Sequence, residues 1–439
     1  MEEFDAVVVG GGPGGSVAAY FLASAGAKVA VLERKHFPRA KTCGDGLTPR
    51  SVKILEDAGV AAIDSYHKVE SLRVVAAGKT MDLPFPSING YVEHGLVKPR
   101  KTLDSDIASR AQEAGATYFF GHEAMEPIRE PGRIAGVRWI RKEKLEGGGV
   151  TEVDQGELRA PFTVIADGAS SPFGRALGVR RQANFPMGLA IRTYYESHRH
   201  DDDFFESWLE LRKGDELLPG YGWIFPVGDG TVNVGVGLLT TFGQWRSVNL
   251  NQLQHDYIDM LPPSYGITHE GQRGSYQSGR LPMGGSVTKP YGPGYVVIGD
   301  AAGMVNPFNG EGIAYALETG KLAGGLLADA LRSGDSHQLS VYREALFDIY
   351  GPYYRLGRRF TKVIGQPRIF RALCQVGMRS RTVMGFVFQL LANLAEEKGG
   401  KLGDRSYRAL VKIAETDLPE LNEPDIPEPP TKRRVEKVA

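Results

Sequence analysis

Four runs of apolar residues are short and rich in β-branched side chains, the pattern of strands buried on both faces. They cover residues 4–9, 28–32, 162–166 and 295–298. Between the first two runs, residues 16–25 are small and favour a helix, and Gly26 ends that segment. The order strand, helix, strand predicts a βαβ unit at the start of the chain.

The middle of the chain alternates apolar and polar residues or is otherwise rich in β-forming residues, which predicts further strands. Such stretches lie at residues 71–85, 185–195 and 221–239. Helical patterns open at Pro49 and near Thr102, and return at 313–331 and 341–397. The chain is therefore expected to carry a sheet-built region between segments of buried strand and helix.

Composition excludes several classes of protein. Hydrophobic residues make up 42% of the 439 residues and the formal net charge is zero, so nucleic acid is not an expected partner. The two cysteines, Cys43 and Cys374, are too few for a disulfide framework and are typical of a reducing compartment. No signal peptide is expected, and the apolar run at 383–395 is too short to span a bilayer. We expect a cytoplasmic protein, or one held peripherally on the inner face of the cell membrane.

A glycine-rich segment separates the first strand from its helix and fits G-x-G-x-x-G. Such glycines let the backbone approach a pyrophosphate at a helix N-terminus, and an acid about twenty residues later accepts hydrogen bonds from a ribose. Glycines alone are also typical of a tight turn, but here strand, glycines, helix, strand and acid occur in order. The sequence therefore predicts an adenine dinucleotide held by Gly10, Gly12, Pro13, Gly14, Gly15, Glu33 and Arg34.

A second signal follows the run at 295–298. Gly299-Asp300-Ala301-Ala302 precedes Pro307-Phe308-Asn309-Gly310-Glu311-Gly312, and a helical pattern starts at Ile313. A carboxylate at this place accepts hydrogen bonds from a sugar-alcohol chain, and the positive end of the helix stabilises the anion of a reduced isoalloxazine ring. Gly-Asp-Ala-Ala alone is also a common strand-to-helix turn. The predicted contacts are Gly299, Asp300, Pro307, Gly310, Gly312 and Ile313.

These two signals, with Asp167-Gly168 between them, resemble the FAD fold of the para-hydroxybenzoate-hydroxylase type over about residues 1–335. That fold includes aromatic hydroxylases, flavin halogenases and geranylgeranyl reductases. The resemblance implies that Glu33 holds the adenosine ribose, Arg100 contacts FAD, Asp167 braces the fold and Asp300 binds the ribityl chain. It also implies an electron donor, either NAD(P)H or another carrier.

Two segments separate the members of that fold. The loop at 41–46 resembles the cysteine-containing loop of geranylgeranyl reductases, and residues 221–226 resemble their Tyr-x-Trp-x-Phe-Pro segment, although Pro219 lies two rather than three residues before the tyrosine. Residues 43–50 are most similar to actinobacterial menaquinone reductases. The Trp-x-Trp-x-Ile-Pro segment of halogenases is not found.

The resemblance implies an FAD-dependent reductase that saturates a double bond in a polyprenyl chain, first the side chain of menaquinone. A reductase of geranylgeranyl lipids or diphosphates is the nearest alternative, followed by a hydroxylase or halogenase. A flavin-bound protein without turnover is a third class. We expect an α/β protein whose Rossmann-like FAD-binding domain is discontinuous (1–68, 98–177 and 276–340). An inserted antiparallel β domain for substrate (69–97 and 178–275), a C-terminal helical region (341–415) and a disordered tail (416–439) complete the predicted organisation.

Three residues are candidates for catalysis: Cys43, Tyr221 and Trp223. Aromatic faces stabilise positive charge on the tertiary carbon of an isolated alkene by about 1–2 kcal/mol each, and Tyr221, Trp223 and Phe225 would share one face of a strand. Core packing accounts for these aromatics equally well.

The loop that carries Cys43 follows the second strand, which favours a place near the flavin for Cys43, Gly44 and Asp45. Inert packing is the alternative for the cysteine, and an exposed loop charge the alternative for Asp45. No metal site is expected, because the spacing of the histidines at 36, 94 and 122 is not that of metal ligands.

Residues 353–381 contain eight basic residues interleaved with aromatic and aliphatic ones, and contain no acidic residue. This composition suits an anionic lipid surface. A cap on the protein's own core, with solvated arginines, is the alternative. The basic residues are Arg355, Arg358, Arg359, Lys362, Arg368, Arg371, Arg379 and Arg381.

Overall fold

The computed structural model describes residues 3–144, 150–214, 216–334, 338–395, 406 and 408–412. Its named helices are α1 (Pro13–Ser24), α2 (Pro49–Asp57), α3 (Arg100–Glu113), α4 (Pro172–Ala176), α5 (Leu250–Met260), α6 (Ile313–Ser333), α7 (Gln338–Ile364), α8 (Pro367–Gly377) and α9 (Arg381–Leu391).

Its strands are β1 (Ala6–Val9), β2 (Val29–Glu33), β3 (Gly46–Leu47), β4 (His67–Val69), β5 (Ser71–Ala76), β6 (Lys79–Pro84), β7 (Gly95–Val97), β8 (Thr117–Phe120), β9 (His122–Glu130), β10 (Arg133–Lys144), β11 (Val150–Arg159), β12 (Phe162–Ile165), β13 (Met187–Glu196), β14 (Phe204–Trp208), β15 (Arg212–Lys213), β16 (Glu216–Leu217), β17 (Gly220–Pro226), β18 (Thr231–Leu239), β19 (Gln272–Pro282), β20 (Tyr291–Gly292) and β21 (Tyr295–Val297).

The four apolar runs form the centre of a six-stranded sheet with the order β20-β21-β12-β1-β2-β8. Each pair from β21 to β8 is parallel, and β20 is an antiparallel edge strand. The strands β1, β2 and β12 are buried along their whole length, because α1 packs against all three and β10 packs against β12. The predicted Rossmann-like α/β fold is confirmed.

The second large sheet has seven strands in the order β19-β13-β18-β17-β14-β5-β6. All its pairs are antiparallel except β14 with β5, which run parallel. Its strands come from residues 71–84 and 187–282. The inserted sheet is therefore confirmed, whereas the exact division into domains stays a prediction. Helix α5, which was not predicted, packs on one face of this sheet.

The C-terminal region is helical, as expected, and consists of α7, α8 and α9 in the described residues. Helix α7 packs against α6 and buries four tyrosines in the main core: Tyr342, Tyr350, Tyr353 and Tyr354. Helix α9 packs near β6 of the seven-stranded sheet. The predicted tail at 416–439 lies outside the described residues. No helix in the part of the chain that the structure describes is both long enough and apolar enough to cross a bilayer.

Candidate cofactor and substrate site

The carboxyl ends of four parallel strands open onto one cavity. Because β1, β2, β12 and β21 run in register side by side, the segments that follow them meet at the same edge of the sheet. The cavity has a volume of about 660 Å³. It continues from this edge past the seven-stranded sheet to helices α8 and α9.

Every residue predicted to bind the cofactor or to act in catalysis lines this cavity. The structure thus brings together segments that are up to 300 positions apart in the sequence, while the individual roles stay predictions. The lining includes Gly10, Gly12, Pro13, Gly14, Gly15, Glu33, Arg34, Cys43, Gly44, Asp45, Arg100, Asp167, Tyr221, Trp223, Gly299, Asp300, Pro307, Gly310, Gly312 and Ile313.

The glycines of the first loop differ in what they contact. Gly10 has φ +101°, and a Cβ there would lie 2.5 Å from the carbonyl oxygen of Ala166. A Cβ on Gly15 would overlap the carbonyl oxygen of Gly10, and one on Gly14 would lie 2.7 Å from the carbonyl of Ala316 in α6. At Gly12 the nearest described atom is 3.7 Å away, on a flexible arginine. Gly12 therefore leaves open space beside the N-terminus of α1, while the others serve close backbone packing.

Glu33 is fixed at the end of β2 by backbone donors. Its carboxylate accepts hydrogen bonds from the N–H groups of Gly11 and Lys35, both at 3.0 Å. Arg39 lies 3.5 Å from the same carboxylate and 3.1 Å from Asp104. The carboxylate is thus held beside the glycine loop, as a ribose contact requires.

Arg100 lies at the start of α3, two positions before the predicted start of that helix. It makes two hydrogen bonds to Asp104, at 2.6 and 3.0 Å. Burial lowers the pKa of the Arg100 guanidinium, but the charge and hydrogen bonds of Asp104, together with Cys43, raise it overall. The cation is therefore permanently charged beside the cavity.

Asp167 and Asp300 follow neighbouring strands but have different surroundings. The Asp167 carboxylate accepts hydrogen bonds from the Ser171 hydroxyl at 2.6 Å and the Phe173 N–H at 2.9 Å. These bonds hold the turn before α4, and the bracing role of Asp167 stays a prediction. Asp300 lines the cavity, and its Oδ1 lies 3.1 Å from the place of a Cβ on Gly312. A side chain at 312 would therefore press on that carboxylate.

The loop that carries Cys43 is anchored by a buried carboxylate. Asp45 has φ +66° and is fully buried. It accepts hydrogen bonds from the Arg100 N–H at 3.0 Å, from Nδ2 of Asn233 at 2.8 Å and from the Tyr194 hydroxyl. The alternative of an exposed loop charge is wrong, because three donors from distant segments surround this group.

Cys43 lies two positions before Asp45. Its sulfur accepts a hydrogen bond from the Asp45 N–H at 3.2 Å. Burial raises the pKa of the Cys43 thiol, although the nearby Arg100 cation opposes the change. Cys43 is therefore a thiol, not a thiolate, near neutral pH.

The aromatic residues of β17 form a wall of the cavity. Tyr221, Trp223 and Phe225 all line it, and the ring centroids of Trp223 lie 6.0 and 6.4 Å from those of Tyr221 and Phe225. A Cβ on Gly44 would lie 3.1 Å from the Phe225 ring. The opposite face of β17 packs on Tyr257 in the sheet's own core. The strand thus has one core face and one cavity face, and the predicted aromatics lie on the cavity face.

Sequence reasoning missed several residues of the site. Asn233 donates to the Cys43 carbonyl and accepts from Trp223 Nε1, both at 3.0 Å. Lys41 lines the cavity, and burial lowers its pKa although the Asp300 charge opposes this. Glu311 also lines the cavity. It belongs to the 307–312 segment that was predicted to contact the cofactor, but no role was predicted for it. Lys41 lies inside the recognised 41–46 loop but was given no role, and no local pattern marks Asn233, because its partner Cys43 is 190 positions away.

A separate group on the surface was also not predicted. His255 and His269 stack with ring centroids 3.9 Å apart, and both lie within 3.1 Å of the Asp259 carboxylate. Interaction with His269 lowers the pKa of Asp259. His255 and Asp259 lie on α5 and His269 lies shortly before β19, and none of the three lines the cavity.

The basic C-terminal segment divides into two parts. Arg358 donates to the Gly284 carbonyl at 2.7 Å, and burial lowers its pKa to about 10. Further along, Leu373 and Val376 of α8 are 47% and 61% exposed among exposed arginines. The first part therefore caps the protein's core, whereas α8 presents apolar side chains to the outside.

A model of the FAD binding domain matches residues 3–347. The chain belongs to this FAD-binding family. FAD is its cofactor, and the predicted FAD-dependent oxidoreductase is confirmed. FAD also fits the cavity on physical grounds, since neither α1 nor α6 has a capping side chain and both start at the lining with unpaired N–H groups.

Relatives with similar sequences are named for related reductase activities. The menaquinone reductase of Mycolicibacterium smegmatis is 37% identical over 407 residues, which cover 92% of this chain and 95% of that one. Digeranylgeranylglycerophospholipid reductase 1 of Methanopyrus kandleri is 33% identical over 338 residues, 76% and 83% of the two chains. The predicted resemblance to this group of reductases is confirmed.

The fold is also shared with a solved structure. The crystal structure of a geranylgeranyl bacteriochlorophyll reductase-like protein from Thermoplasma acidophilum superposes with a TM-score of 0.73 at 23% identity. The match covers 93% of this chain and all of that one. It supports the arrangement of an FAD-binding sheet, an inserted sheet and C-terminal helices.

Proposed function

We propose that the protein saturates one double bond in the prenyl side chain of menaquinone. The observation that carries this proposal is the continuity of one cavity, from the glycine loop past the aromatic wall to α8 and α9. A flavin and a long apolar chain need such a shape, since the chain must reach the ring while its remainder stays out of water. The similarity to a named menaquinone reductase supports the choice of substrate.

The outer half of the cavity is lined by apolar side chains from the seven-stranded sheet and from the region of helices α8 and α9. The seven-stranded sheet contributes Leu72, Val74, Leu83, Phe85, Phe205 and Leu209, and the helices contribute Phe370, Leu373, Met378, Val383, Met384 and Phe388. Burying a prenyl chain here releases about 25 cal/mol per Å² of apolar surface. A polar aromatic substrate of a hydroxylase would gain little from this lining.

The inner half holds the groups proposed to bind FAD. Glu33 is proposed to hold the adenosine ribose, Asp300 the ribityl chain, and the N–H groups at 310–313 the pyrimidine end of the ring. Bound FAD, once reduced, supplies the hydride equivalent for the reaction. Tyr221, Trp223 and Phe225 exclude water from the reacting carbons and place π faces beside the charge that develops there.

The proposal also includes an electron donor for the flavin and a contact with the membrane. NAD(P)H or another carrier would reduce the flavin at the surface. The substrate lives in a bilayer, and the exposed apolar residues of α8 lie beside Arg368, Arg371 and Arg379 at the outer end of the cavity. We propose that this end rests on an anionic membrane surface and receives the chain there.

The deciding experiment supplies the FAD-loaded protein with a chemical reductant and menaquinone in lipid vesicles. Mass spectrometry should find a quinone heavier by two hydrogen atoms, and fragmentation should locate them in the side chain. A matched reaction contains a geranylgeranyl-bearing phospholipid, because a relative is named for such a substrate. Turnover of that lipid alone would select the second candidate. Product that forms only with oxygen would refute both.

A further inference from the structure

Glu311 is a half-buried residue at the inner end of the cavity, and its carboxyl group has no assigned role. Its Oε1 accepts a hydrogen bond from the Thr48 hydroxyl at 2.5 Å. Its Oε2 is shielded from solvent and has no hydrogen-bond partner among the described residues. A buried oxygen without a partner costs about 1–3 kcal/mol, so its presence beside a reaction site requires an explanation.

The Thr48 side chain binds this carboxyl group instead of capping its helix. It is the N-cap residue of α2, where a threonine side chain usually accepts a hydrogen bond from the first turn. Here the side chain makes no such bond and donates to Glu311 instead. The usual capping of a helix by its N-cap threonine is therefore absent beside the cavity, and such departures from local preference are typical of functional positions.

Among the residues that the structure describes, no cation forms an ion pair with Glu311. Arg50 of α2 pairs with Glu318 of α6 at 2.7 Å and donates to the Asn393 carbonyl at 3.0 Å. Tyr221 of β17 faces the same turn, but its hydroxyl donates to the Asn309 carbonyl at 2.6 Å. Burial raises the pKa of Glu311 to about 7. Hydrogen bonds with Thr48 and Asn309 and the charge of Arg50 oppose the rise, and the charge of Glu318 adds to it.

We propose that Glu311 donates the proton that alkene reduction requires. This role rests on the proposed function. The π electron pair takes the proton from Glu311 at the less substituted carbon, and positive charge grows on the tertiary carbon beside the aromatic wall. That carbon takes a hydride from the reduced flavin, so two hydrogens and two electrons are added. Glu311 is left as a carboxylate, the flavin is left oxidised, and water returns the proton.

Cys43 is the other candidate donor in the cavity. Its thiol has a pKa raised by burial above that of an ordinary cysteine, so it is a much weaker acid than Glu311. Protonation of an unactivated alkene favours the stronger acid. Cys43 then lines the wall without transferring the proton.

The test compares Glu311→Gln with the wild type, both loaded with FAD. A lost general acid lowers turnover by about 10²-fold or more, while the affinity for FAD and the chemical reduction of the flavin stay unchanged. The wild-type rate should fall as the pH rises through about 7, and the residual rate of E311Q should lack that fall. Infrared spectra should show a protonated carboxyl band that disappears at high pH in the wild type and is absent from E311Q.

Two further variants keep the test decisive if E311Q folds poorly. Thr48→Val removes a donor that stabilises the carboxylate, so the fall in rate should move to higher pH. Glu318→Gln, a carboxyl that does not line the cavity, should keep the fall and move it to lower pH. Equal turnover in E311Q and wild type, or a fall in rate that neither variant moves, would overturn the role. A wild type inactive on every prenyl substrate would instead refute the proposed function.

Discussion

Asn233 donates a hydrogen bond from Nδ2 to the Asp45 carboxylate at 2.8 Å, and this bond joins the inserted sheet to the loop of Cys43. The same amide accepts from Trp223 Nε1 at 3.0 Å. One side chain therefore orients both the aromatic wall and the cysteine loop. Its amide has an acceptor and a donor end, and both ends are used.

Replacing Asn233 with Ala should destabilise the protein and disorder the site together. Each buried group left without a partner costs about 1–3 kcal/mol, so the midpoint of urea unfolding should fall clearly. Turnover should fall further than stability alone explains. Asn251→Ala, on the exposed side of α5, is the control and should leave both unchanged. An N233A protein with wild-type unfolding would show that the amide is not needed there.

The glycine loop permits a test that separates folding from FAD binding. Gly15→Ala puts a methyl group onto the Gly10 carbonyl oxygen, so this variant should fail to fold. Gly12→Ala puts a methyl group into the open cavity and should fold normally. It should lose the yellow flavin, because the pyrophosphate approaches that backbone. The check is the absorbance of the purified proteins and their circular dichroism. Normal flavin content in G12A would place the pyrophosphate elsewhere.

The parallel sheet and both glycine segments could be predicted from the sequence because their signals are local. Apolar runs predict buried strands, and glycines are required where φ is positive or backbones touch, as at Gly10. The order of these segments along the chain then places them at one sheet edge. The position of the cavity follows from those rules alone.

The environment of Asp45 could not be predicted in this way. Its partners Tyr194 and Asn233 lie 149 and 188 positions away. A polar residue in a glycine-rich loop is usually exposed, and no nearby residue indicates otherwise. The location of the aromatic wall could not be predicted either, because a strand face that lines a cavity has the same composition as one that packs in a core. Only the packing of Tyr257 on the opposite face of β17 distinguishes the two.

Cys43 should react slowly with alkylating agents. Burial raises its pKa, so at a pH near 8 less of the group is thiolate than in an unfolded chain, and thiolate is the reactive form. The rate of iodoacetamide labelling, measured in a Cys374→Ser background, should rise sharply when urea is added. Labelling of the native protein as fast as a free cysteine would contradict the raised pKa of this half-buried thiol. Cys43→Ala should bind FAD normally, and unchanged alkene reduction by it would exclude a direct role of the thiol.

Helix α8 should carry the contact with anionic membranes. Val376 is 61% exposed at the outer end of the cavity, so Val376→Glu places a charge where an apolar side chain would enter the lipid surface. Co-sedimentation with vesicles containing phosphatidylglycerol should fall by about tenfold or more, in line with the cost of removing one buried apolar side chain. Phe347→Glu on α7 is a matched control, since Phe347 is 59% exposed but does not line the cavity.

Because the nearby arginines add about 1 kcal/mol each at low salt, wild-type binding to these vesicles should weaken as salt is added. A wild type that ignores these vesicles at low salt would contradict the membrane contact, and the prenyl chain would then have to be delivered by a carrier.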